Sequence, residues 1–190
     1  MDEVLKEAYS ILSELWCNPA DVDPEELKER AYGLAGALRE VSPEAPSKLA
    51  RFLEEYPPTE EYYIETFELS PRCPLYLGSY LFEEPKTCAQ AGVSERNDYM
   101  IDILGIYKHF GLGMVEKELP DFLPLMIEFL AITSDRREDG VRRKFIEEYM
   151  MPALEPMRSK LEEVGAPHLL LLDLLKELLR FDLSRQEVRS

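Results

Sequence analysis

An all-α fold is what this sequence predicts, and three observations predict it. Apolar residues recur at helical spacing through most of the chain, and no run alternates apolar and polar residues over the length of a strand. Glycine, at 9 of 190 residues, is too scarce for the many tight turns of an all-β protein. Hydrophobic residues make up 45% of the chain, enough for a sizeable core, and this length favours a single helical domain over 1–190 rather than two small ones. No internal repeat is evident at periods of roughly 20 to 50 residues.

The elements follow in order. Val4, Leu5, Ala8, Ile11, Leu12, Leu15 and Trp16 form the stripe of a first amphipathic helix, which Asn18-Pro19 ends. A second helix starts near Pro24, turns Leu27, Ala31, Leu34, Ala35 and Leu38 inward, and stops before Ser42-Pro43. A short third spans about Ser47 to Glu55. The pair Pro57-Pro58 forbids continuation, and Thr59 ahead of Glu60 and Glu61 is the N-cap of a fourth helix that runs to about Leu69. The stretch from Ser70 to Ser94 holds three prolines and two glycines in 25 residues, so it is a long irregular connection with at most a turn or two of helix. Ser94 to Phe110 is helical, with Met100, Ile103, Leu104 and Tyr107 on one stripe, and Gly111 closes it. Phe122 to Leu130 is apolar except at Glu128, which predicts a helix buried on most sides. Three more helices are expected: Arg136 to Tyr149, Ala153 to Val164, and Pro167 to Phe181 beyond Gly165.

Composition removes several functions. A net charge of -16 argues against nucleic acid, because phosphate binding needs a Lys/Arg-rich face. It favours a cationic partner, although an acidic surface also simply keeps a protein dispersed. Cys17, Cys73 and Cys88 are odd in number and widely spaced, so they suggest neither a disulfide framework nor a metal pair, and a reducing cytoplasm suits them. The opening "MDEVLKEAY" reads as an acidic helix rather than a basic-then-apolar leader. The longest apolar run, Leu169 to Leu179, is broken by Asp173, Lys176 and Glu177 and is far short of the roughly 20 residues that cross a bilayer. His109 and His168 both lack a Glu three residues earlier, so the paired Glu-x-x-His pattern of di-iron bundles is missing. No hydrolase, phosphate-loop, dinucleotide or zinc-protease motif is present, so no enzyme chemistry, cofactor or metal is expected.

One stretch is unusual. "KELPDFLPLMIEFL", Lys117 to Leu130, crowds Glu118, Pro120, Asp121 and Pro124 around a helix start. Proline is tolerated only in a first turn, so Pro124 fixes that start nearby. With Asp121 as N-cap, Pro124 is the third helical residue and has no amide hydrogen; the carboxylate then accepts from Leu123 alone and keeps one oxygen free. Pro120 holds Leu119 extended. Glu118 and Asp121 are thus presented on a stiff elbow attached to the core. The plainer reading is a well-terminated helix start, a cap worth about 1 kcal/mol.

The segment "ELPDFLPLMIEFLA" resembles the E-x-P-D-H signature of the NarJ/TorD/DmsD family of redox-enzyme maturation chaperones, whose nitrate reductase delta subunit branch is the most similar. "YIETF", Tyr63 to Phe67, stands where that family carries Y-x-x-L-F, and "CPLYLGSYLFEE" resembles its Pro- and aromatic-rich connection. The order of features agrees over roughly residues 1 to 180. Phe122 departs from the usual His, and Thr66 from the usual Leu.

The resemblance implies an all-helical chaperone that binds the N-terminal, twin-arginine-type leader of a molybdopterin oxidoreductase catalytic subunit until its cofactor is inserted. Glu118 and Asp121 would then attract the basic part of the leader. Tyr63, Phe67, Tyr76, Tyr80 and Phe122, with Pro120 shaping the elbow, would receive the apolar part. Tyr63 and Phe67 lie four residues apart on one helix face, where core packing competes with contact. Tyr76 and Tyr80 sit in the irregular connection, where packing explains an aromatic less well. A permanent subunit of an oxidoreductase complex is the rival reading, and a hydrolase using Glu118 and Asp121 a third; a homodimer is compatible with any of them.

Overall fold

The computed structural model describes residues 2–55, 59–83, 94–113 and 118–187. Cys88, Lys117, the Pro57-Pro58 pair and the second half of the expected connection lie outside the described residues. The fold is all-α. Helix α1 covers Asp2–Leu15, α2 Pro24–Leu38 and α3 Ala45–Glu55. Helix α4 covers Glu60–Tyr63 and widens into a π-helical stretch over Ile64–Glu68. A 3-10 turn at Leu77–Tyr80 is the one helical turn described in the connection. Then come α5 (Glu95–His109), α6 (Leu123–Ile132), α7 (Gly140–Lys144), a second π-helical stretch (Phe145–Met150), α8 (Met151–Val164) and α9 (Leu169–Glu187).

The caps are those that local chemistry favours. Asp23, Thr59 and Ser94 each accept a first-turn amide. Gly111 and Gly165 adopt positive φ of 76° and 68° after α5 and α8, letting Leu112 N–H reach Tyr107 O and Ala166 N–H reach Leu161 O, both at 2.9 Å.

Two expectations are corrected between residues 136 and 164. The helix starts at Gly140, not Arg136, because Asp139 caps it by accepting from Val141 N–H at 2.8 Å. Nor does it break before Ala153: helical structure runs unbroken from Gly140 to Val164 in spite of Pro152 and Pro156. Both prolines lie four apart on the exposed side, so the carbonyls left without partners face water. The π-helical turn just ahead of Pro152 supplies the extra room that a proline ring demands.

The core is continuous from Leu5 to Leu179. Helix α6 is its axis, with Leu123, Met126, Ile127 and Leu130 fully buried, and α1 packs along it. Helix α9 supplies Leu171, Leu172, Leu174, Leu175, Leu178 and Leu179 against α3 and α8, and α2 bridges α1 and α3. His168 is also fully buried, with its ring among those of Trp16, Phe52, Tyr62 and Phe67 at centroid distances of 4.7 to 5.8 Å. Burial pushes its pKa down to about 3, against an upward pull from the Leu15 backbone, so it is a neutral core residue.

A buried ion cluster closes the far end of the helices. Asp182 on α9 accepts from Arg137 Nε at 2.6 Å, Arg142 Nη2 at 2.9 Å and Tyr9 Oη at 3.0 Å. Arg142 also donates to Thr133 Oγ1 and Leu130 O at the end of α6. Four elements are thereby joined through one carboxylate. Among the described residues no helix is long and apolar enough to cross a membrane.

Candidate functional site: an acidic, apolar-floored groove beside the elbow

The construction of the elbow differs from the reading above. The N-cap of α6 is Phe122, with φ -68° and ψ 120°, and Pro124 is the second helical residue. Asp121 therefore stands one residue outside the cap. Its carboxylate turns inward, where Oδ2 accepts from Gly78 N–H at 2.9 Å and lies 3.7 Å from Arg96 Nη2. The side chain is wholly buried, and burial pushes its pKa up while the Gly78 amide and Arg96 oppose the shift. A Cβ at position 78 would sit 2.7 Å from Asp121 Oδ2, so this approach of backbone to carboxylate needs glycine there.

The main chain reinforces the contact. Leu77 N–H donates to Asp121 O at 2.9 Å and Leu123 N–H to Leu75 O at 2.8 Å, an isolated antiparallel bridge that sets Tyr76 opposite Phe122 with ring centroids 5.4 Å apart. Tyr107 Oη donates to Pro120 O at 2.8 Å from below. Tyr76 Oη donates to Glu118 Oε2 at 2.7 Å, orienting that carboxylate at the surface. The connection and the elbow, more than 40 residues apart in sequence, are one unit.

This unit forms one rim of a groove of about 470 Å³, a volume typical of ligand sites. Its floor is α6, which contributes Phe122, Pro124, Leu125, Glu128, Phe129 and Ile132 along its whole length. The end of α1 supplies one wall through Ser13, Glu14 and Cys17; Tyr107, Leu112, Gly113 and Glu118 supply the other. Among the described residues three carboxylates line it and no Lys, Arg or His does. Glu14 is already matched, since Arg30 Nη1 donates to it at 2.7 Å and 3.0 Å. Glu118 and Glu128 are exposed and set the electrostatics. Burial first, then Glu128, Asp21, Glu14 and Glu118, push the Cys17 thiol up to about 11. Burial and the bond to Glu118 push Tyr76 up to about 12. Burial leads both shifts and the neighbouring carboxylates add to it, while Ile132 on the groove and Leu119 beside Glu118 are exposed apolar side chains.

The residues singled out from sequence divide into three groups. Glu118 and Phe122 line the groove, and Tyr76 lies just behind them, bonded to the first and with its ring against the second. Tyr63, Phe67, Pro120 and Asp121 are buried behind it, Tyr63 donating its hydroxyl to Trp16 O at 3.0 Å and Phe67 packing on the His168 ring. Tyr80 is half-buried away from the groove, its hydroxyl 2.8 Å from Pro74 O and 3.2 Å from Cys73 Sγ. Phe122, where the signature has His, gives the groove an apolar rim. Sequence reasoning missed Ser13, Glu14, Cys17, Leu125 and Ile132. Glu128 was visible as the lone polar interruption of an apolar helix, a pattern that in hindsight identifies the face open to solvent.

Comparison with known proteins agrees with this architecture. The family model described as nitrate reductase delta subunit matches residues 24–169. The chain is 32% identical over 95 residues to the probable nitrate reductase molybdenum cofactor assembly chaperone NarW of Escherichia coli K12, covering 50% of this chain and 38% of that protein. It is 31% identical over 121 residues to the probable nitrate reductase molybdenum cofactor assembly chaperone NarJ of Bacillus subtilis, covering 61% and 59%. With NarJ of Escherichia coli K12 the identity is 26% over 152 residues, covering 80% and 54%. The matched region thus spans 38% to 59% of the length of these relatives. With that family match covering residues 24–169, most of its length, the chain belongs to the nitrate reductase delta subunit family.

Proposed function

We propose that this protein is an assembly chaperone for a molybdenum-cofactor oxidoreductase. It holds the basic, apolar N-terminal leader of the catalytic subunit in the groove along α6, in the cytoplasm, until the cofactor has been inserted. The observation that carries the reading is the groove itself, an apolar floor rimmed by exposed carboxylates and lined, among the described residues, by no cation. The assembly-chaperone names of the relatives support the client class.

Each residue has a role in this reading. Phe122, Leu125 and Phe129 receive apolar side chains, whose transfer from water supplies most of the affinity. Glu118 and Glu128 attract the basic residues and set orientation and on-rate. Tyr76 fixes the Glu118 carboxylate and, with its ring tilted against that of Phe122, supports the apolar rim. Tyr63, Phe67, Pro120 and Asp121 hold the rim from behind, and Tyr80 anchors the connection that carries Tyr76. No catalysis is required of any of them.

The test begins with a pull-down that asks which oxidoreductase subunit the protein retains, followed by titration with the first few dozen residues of that subunit at low and high salt. Binding should weaken as salt shortens the Debye length from about 10 Å at 0.1 M to about 3 Å at 1 M. Glu118→Gln combined with Glu128→Gln should weaken it about threefold to tenfold at low salt and flatten the salt dependence. Leu125→Arg should abolish it. Retention of leader binding by Leu125→Arg would remove the groove from the mechanism, and a client that stays bound to the protein after cofactor insertion would favour a permanent subunit.

A further inference from the structure

A second, smaller cavity backs onto the groove across the last turn of α1. It measures about 90 Å³ and shares Glu14 and Cys17 with the groove as a common wall. Its other walls are Leu15, Pro19, Val22, Pro24, Leu27 and Leu53, with Lys28 at the edge. Leu15, Leu27 and Leu53 are almost fully buried, so the cavity is a fixed depression where α1, α2 and α3 meet. Both charges beside it are paired within the protein: Glu14 with Arg30 at 2.7 Å and Lys28 with Glu25 at 3.6 Å. Apart from these and the Cys17 thiol, the described side chains on its walls are apolar.

Resting on the groove reading above, we propose that this cavity is a socket for one aliphatic side chain of the same bound peptide, making the site bipartite. The size fits: cavities of about 150 Å³ lined by apolar side chains accept benzene, so about 90 Å³ suits a residue between valine and leucine. The shared wall sets the spacing. Glu14 and Cys17 form a ridge one helix wide, about 10 Å across, which an extended chain crosses in about three to four residues at roughly 3.3 Å each. Glu118 and Glu128, both exposed, line the groove and not the socket, which places the cationic residue on the groove side of that ridge. The selected peptide thus carries a Lys or Arg within an apolar segment and, three to five residues away, one isolated Val, Ile or Leu. A groove without the socket selects only the first part.

Phage-displayed random 16-residue peptides, selected in parallel on the wild-type protein and on Val22→Phe, test the proposal. The phenyl ring fills the socket and leaves the groove untouched. Wild type should enrich a basic-apolar segment together with the separate aliphatic position, while Val22→Phe should keep the segment and lose the aliphatic preference. A synthetic peptide from the wild-type pool should bind Val22→Phe about tenfold more weakly, the worth of one buried aliphatic side chain. Its version with alanine at that position should bind both proteins equally. Identical profiles and affinities on both proteins overturn the socket and leave the groove reading standing; enrichment of no basic-apolar segment on wild type overturns both. Melting curves control for folding, and Val22→Leu, which adds one carbon, should give an intermediate loss of about twofold to threefold whatever the stability of Val22→Phe.

Discussion

Asp182 and Asp121 are both fully buried carboxylates, and they are treated in opposite ways. Asp182 receives two guanidinium groups and a tyrosine hydroxyl, with both oxygens engaged within 3.0 Å. Asp121 receives one backbone amide and a guanidinium at 3.7 Å, and its Oδ1 has no hydrogen-bond partner among the described residues. The difference follows from position. Asp182 joins α9 to other parts of the chain, and its three partners come from three different segments. Asp121 only needs to hold one loop against one helix start, and the main-chain bridge between Tyr76 and Phe122 shares that task. A buried charge with a full set of partners is costly to break, whereas one that is poorly partnered gives up little when replaced.

Asp182→Ala should produce the largest loss. It leaves Arg142 buried without its counter-ion, a situation that costs about 3–5 kcal/mol, or a melting temperature lower by roughly 10 °C for a protein of this size. Urea or thermal unfolding followed by circular dichroism measures it. A loss below about 1 kcal/mol would mean that Arg142 finds other partners and that the cluster does not hold the helix ends.

His168 extends the comparison to a buried base that has no counter-ion at all. Its folded pKa of about 3 lies below the unfolded value near 6.5. The unfolded chain therefore binds the proton first, and stability is lost as pH falls from about 6.5 towards 3. Between pH 6 and pH 4 this one group should remove about 2–3 kcal/mol. His168→Leu should lack that component, so the difference in unfolding free energy between variant and wild type should move in favour of the variant by that amount over the same interval. Equal acid slopes would place the imidazole in contact with water.

Gly78→Ala comes next. The added methyl meets Asp121 Oδ2 at 2.7 Å, with Arg96 Nε at 3.3 Å, so the loop must withdraw from α6. Overpacking of this kind costs about 1–3 kcal/mol. Because the same loop carries Tyr76, leader affinity should fall as well, which isothermal titration would register alongside the melting curve.

Much of the fold was legible because helical periodicity and capping are local. The stripe from Val4 to Trp16, the Thr59 cap and the stop at Gly165 needed only neighbouring residues. The continuous helix through Pro152 was not legible, because a π-helical turn and the exposure of both prolines depend on packing that a local pattern does not carry. The site was half legible. Glu118, Phe122 and Tyr76 belong to segments whose odd composition drew attention, whereas Glu14 and Cys17 sit in and just past the last turn of an ordinary amphipathic helix that becomes a groove wall only when α1 packs on α6, more than 100 residues away. Asp121 shows the opposite failure: an Asp ahead of a helix has the composition of a cap, and only the approach of Gly78 reveals that it faces inward. The cluster of Arg137, Arg142 and Asp182 has no local signal either, because its members are up to 45 residues apart in sequence.

The smallest effect should come from Asp121→Asn. The amide oxygen can still accept from Gly78, and the nitrogen takes the place of an oxygen that has no hydrogen-bond partner among the described residues, so the change at neutral pH should stay within about 1 kcal/mol. Its pH dependence carries the information. Because the folded pKa of Asp121 is raised, the native protein holds that proton more tightly than the unfolded chain, and the acid's contribution is greatest below about pH 4 and is lost as pH rises through its folded pKa. The variant lacks this loss, so its stability relative to wild type should be best at neutral pH and should decline as pH falls towards 4. Asp182→Asn, where an amide nitrogen would face a guanidinium, should instead cost several times more at every pH. Leader binding by Asp121→Asn should match wild type in affinity and salt dependence, since a carboxylate sealed beneath the loop adds little to the field at the groove compared with exposed Glu118 and Glu128. A weakened, less salt-sensitive complex would mean that the elbow opens on binding and that Asp121 turns outward to meet the basic residue.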